Sequence, residues 1–412
     1  MSASVAGARS PGAARPAKTA LAAAHLHRVN RWTACVRLDA DLATLPPSVF
    51  AECDAAIVSC DNHRARLAAA RLLISAHVPF ADAGSLAAQG ISRVTVADPA
   101  RARRDLDAEP SCPSCCWSPE QIARAGGEGS LPCAGVALDD GDGAASTLTA
   151  AHRAATLAVR EALALAGILR LRPSIGFEHR DDLATLRLES YRVPFNPECA
   201  AQHELGCERV THLERQPDAL RLGELAQLCR LEPDDELLLA ATEVVELALC
   251  GRCFERAHPY RRVGSPAIPC RACGAELAPA RVTRRIRWSD AAPHVGSASA
   301  ASLFLAGDAF AVRGRGGARA YRFPPTLLPW QSGRAAWNDA TDRELFVRLP
   351  ELYDLERIRR GRLAIVGVGH VGAAVLAQIA PLPLAGLVLV DRDDFAPHNA
   401  QSFGITVEEA RA

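Results

Sequence analysis

The feature that most constrains the fold of this 412-residue chain is a glycine-rich turn between two apolar segments. The turn runs from Gly367 to Gly372. It follows the segment from Arg362 to Val366 and precedes Leu387 to Val390 and then Asp391. Glycines at this spacing let backbone N–H groups approach a phosphate at the positive end of the next helix, and an acid after the second strand can bind a ribose hydroxyl. We therefore predict a nucleotide-binding strand–turn–helix–strand unit; a glycine turn in a ligand-free fold is the alternative.

Charge and hydropathy exclude two classes of partner. Basic and acidic residues balance at 47 each, so no net field attracts nucleic acid or an anionic membrane. The stretch from Ala364 to Val390 has no charged side chain and is long enough to cross a bilayer. Its glycines and prolines instead indicate buried strands, a turn and a helix. We therefore expect no nucleic acid and no membrane as partner.

The 14 cysteines include close groups with the spacing of metal ligands rather than of a disulfide framework. This indicates a reducing, cytoplasmic environment. Two Cys-x-x-Cys pairs, Cys250 with Cys253 and Cys270 with Cys273, have 16 residues between them. Because each pair can form a tight knuckle that supplies thiolates to a tetrahedral ion, we predict a zinc ribbon binding Zn²⁺ over about 250–274. Four buried, reduced cysteines in a β-domain are the alternative.

The chain is long enough for two or three domains, and its composition suggests where they divide. Residues 1–17 are rich in Ala, Arg and Ser and lack acids, and we interpret them as a mobile leader. Residues 18–173 alternate predicted strands and helices. Residues 174–345 form a middle domain with the zinc ribbon, and residues 346–412 carry the glycine-rich turn.

Local hydrophobic patterns predict individual elements along the chain. We expect helices from Lys18 to His27 and from Thr147 to Ile168, in the alternating segment. In the middle domain we expect a helix from Asp234 to Leu249 and strands at Leu303–Leu305 and Phe310–Val312.

The segment after the second apolar strand carries a motif known from one family. Val390 to Phe395 reads Val-Asp-Arg-Asp-Asp-Phe, and Pro397-His398-Asn399 follows. This resembles the ThiF/MoeB/ubiquitin-activating enzyme superfamily, in which a VDxDxVxxxN run follows the glycine-rich turn and binds ATP. The family's next motifs stand at the other end of this chain. They are a helix that begins near a lysine, an Asp-Asn-x-x-x-Arg motif and a Cys-x-x-Cys pair, here at Lys18, Asp61–Arg66 and Cys112–Cys115.

The motif order is therefore preserved but rotated. A doubly wound sheet depends on which strands pair and not on where the chain is cut, so circular permutation is tolerated. The resemblance implies an α/β fold: a Rossmann-like doubly wound sheet of the ubiquitin-activating type, assembled from both chain ends, with a smaller zinc-ribbon-containing domain between them. Halves exchanged between two chains, and a fragment of a longer tandem protein, are the alternatives. A homodimer is expected.

The resemblance also implies a function and residue roles. The family uses ATP and Mg²⁺ to form an acyl-adenylate on the C-terminal glycine of a ubiquitin-like or sulfur-carrier protein, releasing pyrophosphate. Lys18 would clamp the phosphates and Asp61 would bind Mg²⁺; a surface lysine and a helix-capping aspartate are the alternatives. Asp391 would bind the ribose. The other nucleotide-binding positions are Gly367, Gly369, Gly372, Asp393 and Asn399.

The chain departs from the family pattern after Asn399. The family has an arginine there that contacts the phosphates, whereas this chain continues with Ala400 and Gln401. Loss of such a cation removes transition-state stabilisation, and Arg343 and Arg348 are candidate replacements. Two alternatives therefore stand: a catalytically silent scaffold that binds a protein or peptide partner, and an NAD-dependent oxidoreductase.

Cys112 and Cys115 resemble the first half of the family's structural zinc site. Its second half would be either Cys199 with His203 or the Cys270/Cys273 pair. We prefer the first, because it leaves the ribbon intact.

A thioester-forming cysteine needs a depressed pKa in an open, electropositive site. Cys116, Cys133 and Cys207 are candidates, and packing or metal ligation is the favoured interpretation of each. We interpret Arg66 as an ion-pair partner that supports the turn of Asp61.

Overall fold

The computed structural model describes residues 15–86, 90–98, 111–126, 148–196, 199–201, 210–295, 297–330, 344, 352–396 and 399–403. In chain order the helices are α1 (Lys18–Val29), α2 (His63–Ala76), α3 (Pro119–Gly126), α4 (Leu148–Leu165), α5 (Leu222–Cys229), α6 (Trp288–Val295), α7 (Leu355–Arg360), α8 (His370–Ile379) and α9 (Ala400–Phe403). The strands are β1 (Ala34–Leu38), β2 (Ala55–Val58), β3 (Phe80–Leu86), β4 (Ile91–Ala97), β5 (Phe177–Asp182), β6 (Arg187–Arg192), β7 (Val210–His212), β8 (Glu236–Leu239), β9 (Val244–Cys250), β10 (Arg256–Ala257), β11 (Arg261–Arg262), β12 (Leu277–Thr283), β13 (Arg285–Arg287), β14 (Ala309–Gly314), β15 (Gly317–Arg322), β16 (Arg362–Val366) and β17 (Gly386–Val390). No helix in these ranges is both long and apolar enough to cross a bilayer.

Strands from both ends of the chain pair in one sheet. Among the described residues this main sheet has eight strands, in the order β1-β17-β16-β2-β3-β4-β5-β6. β17 lies between β1 and β16, and β16 pairs with β2, all in parallel. β3 is also parallel to β2, whereas β4, β5 and β6 add antiparallel pairs. β17 is apolar and buried along its whole length, as expected of a central parallel strand.

Helices cover both faces of the main sheet. α1, α4 and α8 pack on one face, where the core includes Leu26, Leu163 and Val375. α2 packs on the other face through Leu67 and Leu73. The buried side of α4 is mostly alanine, and these small side chains let the helix pack against both β3 and α8. The mixed α/β class with a large sheet is confirmed, and α1 and α4 confirm the two predicted helices.

Two further sheets occupy the described residues between 210 and 323. Five strands follow the order β13-β8-β14-β15-β7, and the rings of Phe304, Phe310 and Phe323 fill the core beside them. In the ribbon, β9 pairs with β10, β11 and β12, all antiparallel.

The predicted helix from Asp234 to Leu249 is wrong, because this segment forms β8 and most of β9. Its Glu, Leu and Ala content favours a helix locally. However, β8 is paired on both sides by β13 and β14, and β9 is paired by β12, and such pairing outweighs a weak intrinsic preference. Leu303–Leu305 does not form the predicted strand, whereas Phe310–Val312 lies in β14 as predicted.

The main sheet continues past residue 173, because β5 and β6 extend its antiparallel edge. Side chains of α2 connect this sheet to the middle of the chain. Arg71 Nη1 donates to Glu243 Oε1 at 2.9 Å, and the Ala309 N–H donates to Ser75 Oγ at 3.2 Å. The middle region is thereby attached to the face of the sheet that carries α2.

Candidate nucleotide site and metal centres

Four neighbouring parallel strands of the main sheet end on the same side. In sheet order, Asp39 follows β1, Asp391 follows β17, Gly367 follows β16 and Ser59 follows β2. We call the turns after these four strands the carboxyl edge. Ligands of open α/β sheets bind outside the carboxyl ends of their parallel strands. The carboxyl edge is therefore the candidate site, and residues from both ends of the chain form it.

The three glycines of the turn differ in how much space surrounds them. Gly367 has φ +90°, and a Cβ there would lie 2.8 Å from the Ser59 carbonyl oxygen. A Cβ on Gly372 would collide with the Gly367 carbonyl oxygen. A Cβ on Gly369 would meet no described atom within 4 Å. The turn is thus tight at its start, closely packed at its end and open at its centre, the combination that a phosphate-binding turn requires.

Asp391 joins the glycine-rich turn to the loop after β17. Its Oδ2 accepts a hydrogen bond from the Val368 N–H at 2.6 Å, and its Oδ1 accepts one from the Asp393 N–H at 2.8 Å. Burial raises the pKa of Asp391 above its ordinary value, and the charge of Lys18 partly opposes this shift. Because each carboxylate oxygen can accept more than one hydrogen bond, these contacts are compatible with a ribose ligand.

Lys18 is in contact with the opposite end of the chain. Its Nζ donates to Asp393 Oδ2 at 2.9 Å, and only 7% of its side chain is exposed. Its backbone N–H donates to the Asp393 carbonyl oxygen at 3.1 Å, and the Phe395 N–H donates to the Pro16 carbonyl oxygen at 2.8 Å. The start of α1 is therefore docked on the loop after β17. Lys18 is a buried part of the carboxyl edge and not a surface lysine.

Asp61 lies in the turn between β2 and α2, also at the carboxyl edge. Its side chain is exposed, and its Oδ1 accepts from Asn62 Nδ2 at 2.9 Å. The cap of α2 is Asn62, whose Oδ1 accepts from the Ala65 N–H at 2.8 Å. Asp61 is therefore not needed as the helix cap, and an exposed carboxylate beside the glycine-rich turn can bind a cation.

Two other predicted residues contact neighbouring backbone. Arg66 forms an ion pair, as predicted, with Asp82 of β3 as its partner, and its backbone N–H donates to the Asn62 carbonyl oxygen in the Asp61 turn at 3.1 Å. Asn399 is 3% exposed, and its Oδ1 accepts from the Ala396 N–H at 3.1 Å. This hydrogen bond connects Asn399 to Ala396 in the loop after β17.

Three charged residues of the carboxyl edge were missed by the sequence analysis: Asp39, Asp41 and Arg392. Thr19 Oγ1, next to Lys18 in α1, donates to Asp39 Oδ1. Arg392 Nη1 donates to Asp41 Oδ2 at 3.0 Å. A signal for Asp39 was available, because β1 is a mainly apolar strand that ends at an aspartate, as β17 does.

The ribbon gathers four thiols whose Sγ atoms all lie within 4.8 Å of one another: Cys250, Cys253, Cys270 and Cys273. The two knuckles are equivalent. The Phe254 N–H donates to the Cys250 carbonyl oxygen at 3.0 Å, and the Gly274 N–H donates to the Cys270 carbonyl oxygen at 2.9 Å. The Cys253 N–H lowers the pKa of the Cys250 thiol and so favours its thiolate. These cysteines can hold a metal such as zinc.

A second group of thiols is formed by the buried Cys112, Cys115 and Cys199, whose Sγ atoms also lie within 4.8 Å of one another. The Cys112 and Cys199 Sγ atoms are 3.5 Å apart. Burial raises the pKa of Cys112 well above its ordinary value, so a bound cation would be needed to hold this thiol ionised. Cys199 thus joins Cys112 and Cys115, the arrangement preferred above, whereas the predicted ligand His203 lies outside the described residues.

Cys116 does not have the properties expected of a thioester-forming cysteine. Its side chain is exposed, but partial burial and the charge of Glu178 raise the pKa of the thiol, the opposite of what a nucleophilic cysteine needs. Cys133 and Cys207 lie outside the described residues, and so do Arg343 and Arg348.

Comparisons with models of protein families, with curated proteins and with solved structures found no match to this chain. The functional interpretation therefore rests on the carboxyl edge and the two thiol groups.

Proposed function

We propose that this chain is an ATP-dependent adenylyltransferase similar to the ThiF/MoeB/ubiquitin-activating enzymes, with a circularly permuted adenylating domain. One observation carries the proposal. Lys18, near one end of the chain, forms an ion pair with Asp393, near the other, beside the glycine-rich turn. A cation, an open phosphate-binding turn and carboxylates then lie at one edge of one sheet. Since both ends share this sheet within a single chain, exchange of halves between two chains is not required.

The carboxyl edge offers the groups that adenylation of a carboxylate needs. The open backbone at Gly369 and the N-terminus of α8 would bind phosphate oxygens, and Asp391 would hold the ribose. Mg²⁺, with Asp61 as its protein ligand, would neutralise phosphate charge when bound. A carboxylate oxygen of the partner's C-terminal glycine then bonds to the α-phosphorus, and the bond from that phosphorus to the pyrophosphate oxygen breaks. Lys18 would stabilise the charge that develops on the phosphates.

The thiol groups have a different role in this proposal. A Cys₄ zinc site is coordinatively closed and leaves no position for a substrate. We therefore assign the ribbon to folding and to recognition of the partner, a ubiquitin-like or sulfur-carrier protein. The group of Cys112, Cys115 and Cys199 is likewise structural.

ATP–pyrophosphate exchange tests this function, with a sulfur-carrier protein that ends in Gly-Gly as the probe. We expect Lys18→Ala and Asp61→Ala each to reduce exchange by about 100-fold or more, because each removes a group that offsets phosphate charge. Arg28→Ala, at the other end of α1, and Asp218→Ala, an exposed residue of the middle region, are matched controls. They should keep wild-type rates. Unchanged exchange in both Lys18→Ala and Asp61→Ala would contradict the assignment.

Other outcomes of the binding and exchange measurements would indicate a different class of protein. Binding of ATP without ATP–pyrophosphate exchange would instead indicate a catalytically silent scaffold. Binding of NAD but not ATP would select an oxidoreductase, because Asp391 suits the ribose of either nucleotide.

A further inference from the structure

Arg392 and Lys18 flank the same carboxylate at the carboxyl edge. Asp393 Oδ2 accepts from Lys18 Nζ at 2.9 Å, and Asp393 Oδ1 lies 3.7 Å from Arg392 Nε. The two cations differ in solvent exposure: 7% of the Lys18 side chain is exposed, against 42% of the Arg392 side chain. The ammonium group is therefore buried in the edge, while the Arg392 side chain is partly exposed to solvent.

Arg392 is held in this position by a neighbouring turn. Its Nη1 donates to Asp41 Oδ2 at 3.0 Å. The other oxygen of Asp41 accepts from the Ala43 N–H at 2.9 Å and caps a short 3₁₀ helix, so the acid is fixed. Burial lowers the pKa of Arg392, but Asp41, Asp393 and Asp61 together raise it above its ordinary value.

Arg392 and the glycine-rich turn follow neighbouring strands of the carboxyl edge. Arg392 follows β17 and Asp61 follows β2, and β16 with its glycine-rich turn lies between those two strands. The turn that carries Arg392 is therefore next to the glycine-rich turn at the carboxyl edge, and a polyphosphate bound at Gly369 would lie beside it.

The charge balance of the edge calls for a second cation. Six carboxylates follow its strands: Asp39, Asp41, Asp61, Asp391, Asp393 and Asp394. A ligand with several phosphate charges is repelled by these acids unless cations face it. An exposed ion pair such as Arg392 with Asp41 adds little stability, so a phosphate can take the guanidinium from Asp41 at small cost.

We propose that Arg392 binds the polyphosphate of a nucleoside triphosphate, and that Asp41 holds its guanidinium over the carboxyl edge until this ligand arrives. The inference rests on the proposed ATP site and adds a determinant of its specificity. A planar guanidinium presents parallel N–H donors that match two phosphate oxygens, whereas an ammonium group acts mainly as a point charge. Arg392 thus makes the site selective for a nucleoside triphosphate over a monophosphate.

Equilibrium binding of ATP and AMP to the full chain, each with Mg²⁺, tests the inference. We expect Arg392→Gln to weaken ATP binding by roughly 10- to 100-fold and to leave AMP binding unchanged. Arg392→Lys keeps the positive charge but loses the parallel N–H donors of the guanidinium, so it should weaken ATP binding to an intermediate degree. Thermal unfolding checks that each variant is folded, and if Arg392→Gln is not, Arg392→Lys carries the test.

Two controls separate phosphate contact from structural support. Arg315→Gln removes another exposed arginine–aspartate pair, Arg315 with Asp234 at 3.1 Å, and should not change ATP binding. Asp41→Asn keeps the cap but releases the guanidinium, so it should leave ATP binding unchanged or strengthen it. If Arg392→Gln weakened ATP and AMP binding equally, Arg392 would not be a polyphosphate ligand. If Asp41→Asn weakened ATP binding, Asp41 would not be released from Arg392 when the ligand arrives.

The result for the wild-type chain distinguishes two kinds of failure. A wild-type chain that binds ATP, together with an Arg392→Gln variant of equal affinity, would refute the role of Arg392 alone. A wild-type chain that binds neither ATP nor AMP would refute the proposed ATP site, and the inference with it.

Discussion

The ribbon and the carboxyl edge are both candidate binding sites, but they are assembled over very different separations in the chain. The ribbon's thiols all fall between Cys250 and Cys273. At the carboxyl edge, Lys18 and Asp393 are 375 positions apart. Two local knuckles shape the ribbon, whereas the edge exists only after β16 and β17 have paired with β1 and β2. The ribbon therefore depends on a short segment of the chain, whereas the carboxyl edge depends on the pairing of strands in the main sheet.

The two regions should therefore respond to different perturbations. The apolar core of the ribbon is small, with Val245, Ala248 and Leu277 beside two of the cysteines, so a bound metal would supply much of its stability. The carboxyl edge lies above the large core of the main sheet. Removing the ribbon's metal should affect the first region alone, and crowding the glycine-rich turn should affect the second.

The largest expected effect is the loss of the ribbon's metal. Changing Cys250→Ser together with Cys270→Ser should remove one bound zinc per chain, measured by elemental mass spectrometry. Structural zinc contributes on the order of 10 kcal/mol to the folding of small zinc modules. Amide hydrogen exchange of β9 and β12 should therefore accelerate strongly, while β16 and β17 keep their protection.

The control for this experiment is Cys229→Ala, a fully buried cysteine outside both thiol groups. It should leave the zinc content unchanged, even if it lowers overall stability. The same zinc content in the double variant and the wild type would rule out the ribbon as a metal site. Accelerated exchange in β16 and β17 would show that the two regions are not independent.

A smaller effect concerns Asp308, which lies where the ribbon joins the five-stranded sheet. Its Oδ2 accepts from Thr242 Oγ1 at 3.0 Å and from the Leu305 N–H at 2.5 Å. Its buried Oδ1 has no hydrogen-bond partner among the described residues. Burial raises the pKa of Asp308 to about 7.

This pKa makes stability depend on pH in a definite direction. The folded chain keeps a proton that an unfolded aspartate loses near pH 4, so stability falls as the pH rises from about 4 to about 7. The total loss is at most about 4 kcal/mol. Urea denaturation between about pH 5 and 8 should show this slope in the wild type and in Asp218→Asn, and not in Asp308→Asn. Equal slopes in all three proteins would contradict the assignment.

The same contrast explains what the sequence could and could not predict. The glycine-rich turn and the Cys-x-x-Cys pairs have residue types and spacings that determine local geometry, so they were recognised directly. The contact of Lys18 with the other end of the chain was expected only from the order of motifs. Nothing local marks Arg392 or Asp41, because their importance comes from strands that pair across the whole chain. The helix expected from Asp234 to Leu249 failed for the same reason, since pairing with β13, β14 and β12 decides that segment.

The smallest expected effects separate stability from binding within the glycine-rich turn. Gly372→Ala places a methyl group against the Gly367 carbonyl oxygen, so α8 has to shift, and we expect a loss of about 1–3 kcal/mol in the free energy of unfolding. Gly369→Ala meets no described atom within 4 Å. Its stability should stay within about 0.5 kcal/mol of the wild type, while ATP affinity should fall because the methyl group would occupy the proposed position of the phosphate. Urea denaturation and ATP binding measure the two effects separately. An equal loss of stability in both variants would contradict the open centre of the turn, and unchanged ATP affinity in Gly369→Ala would mean that phosphate binds elsewhere.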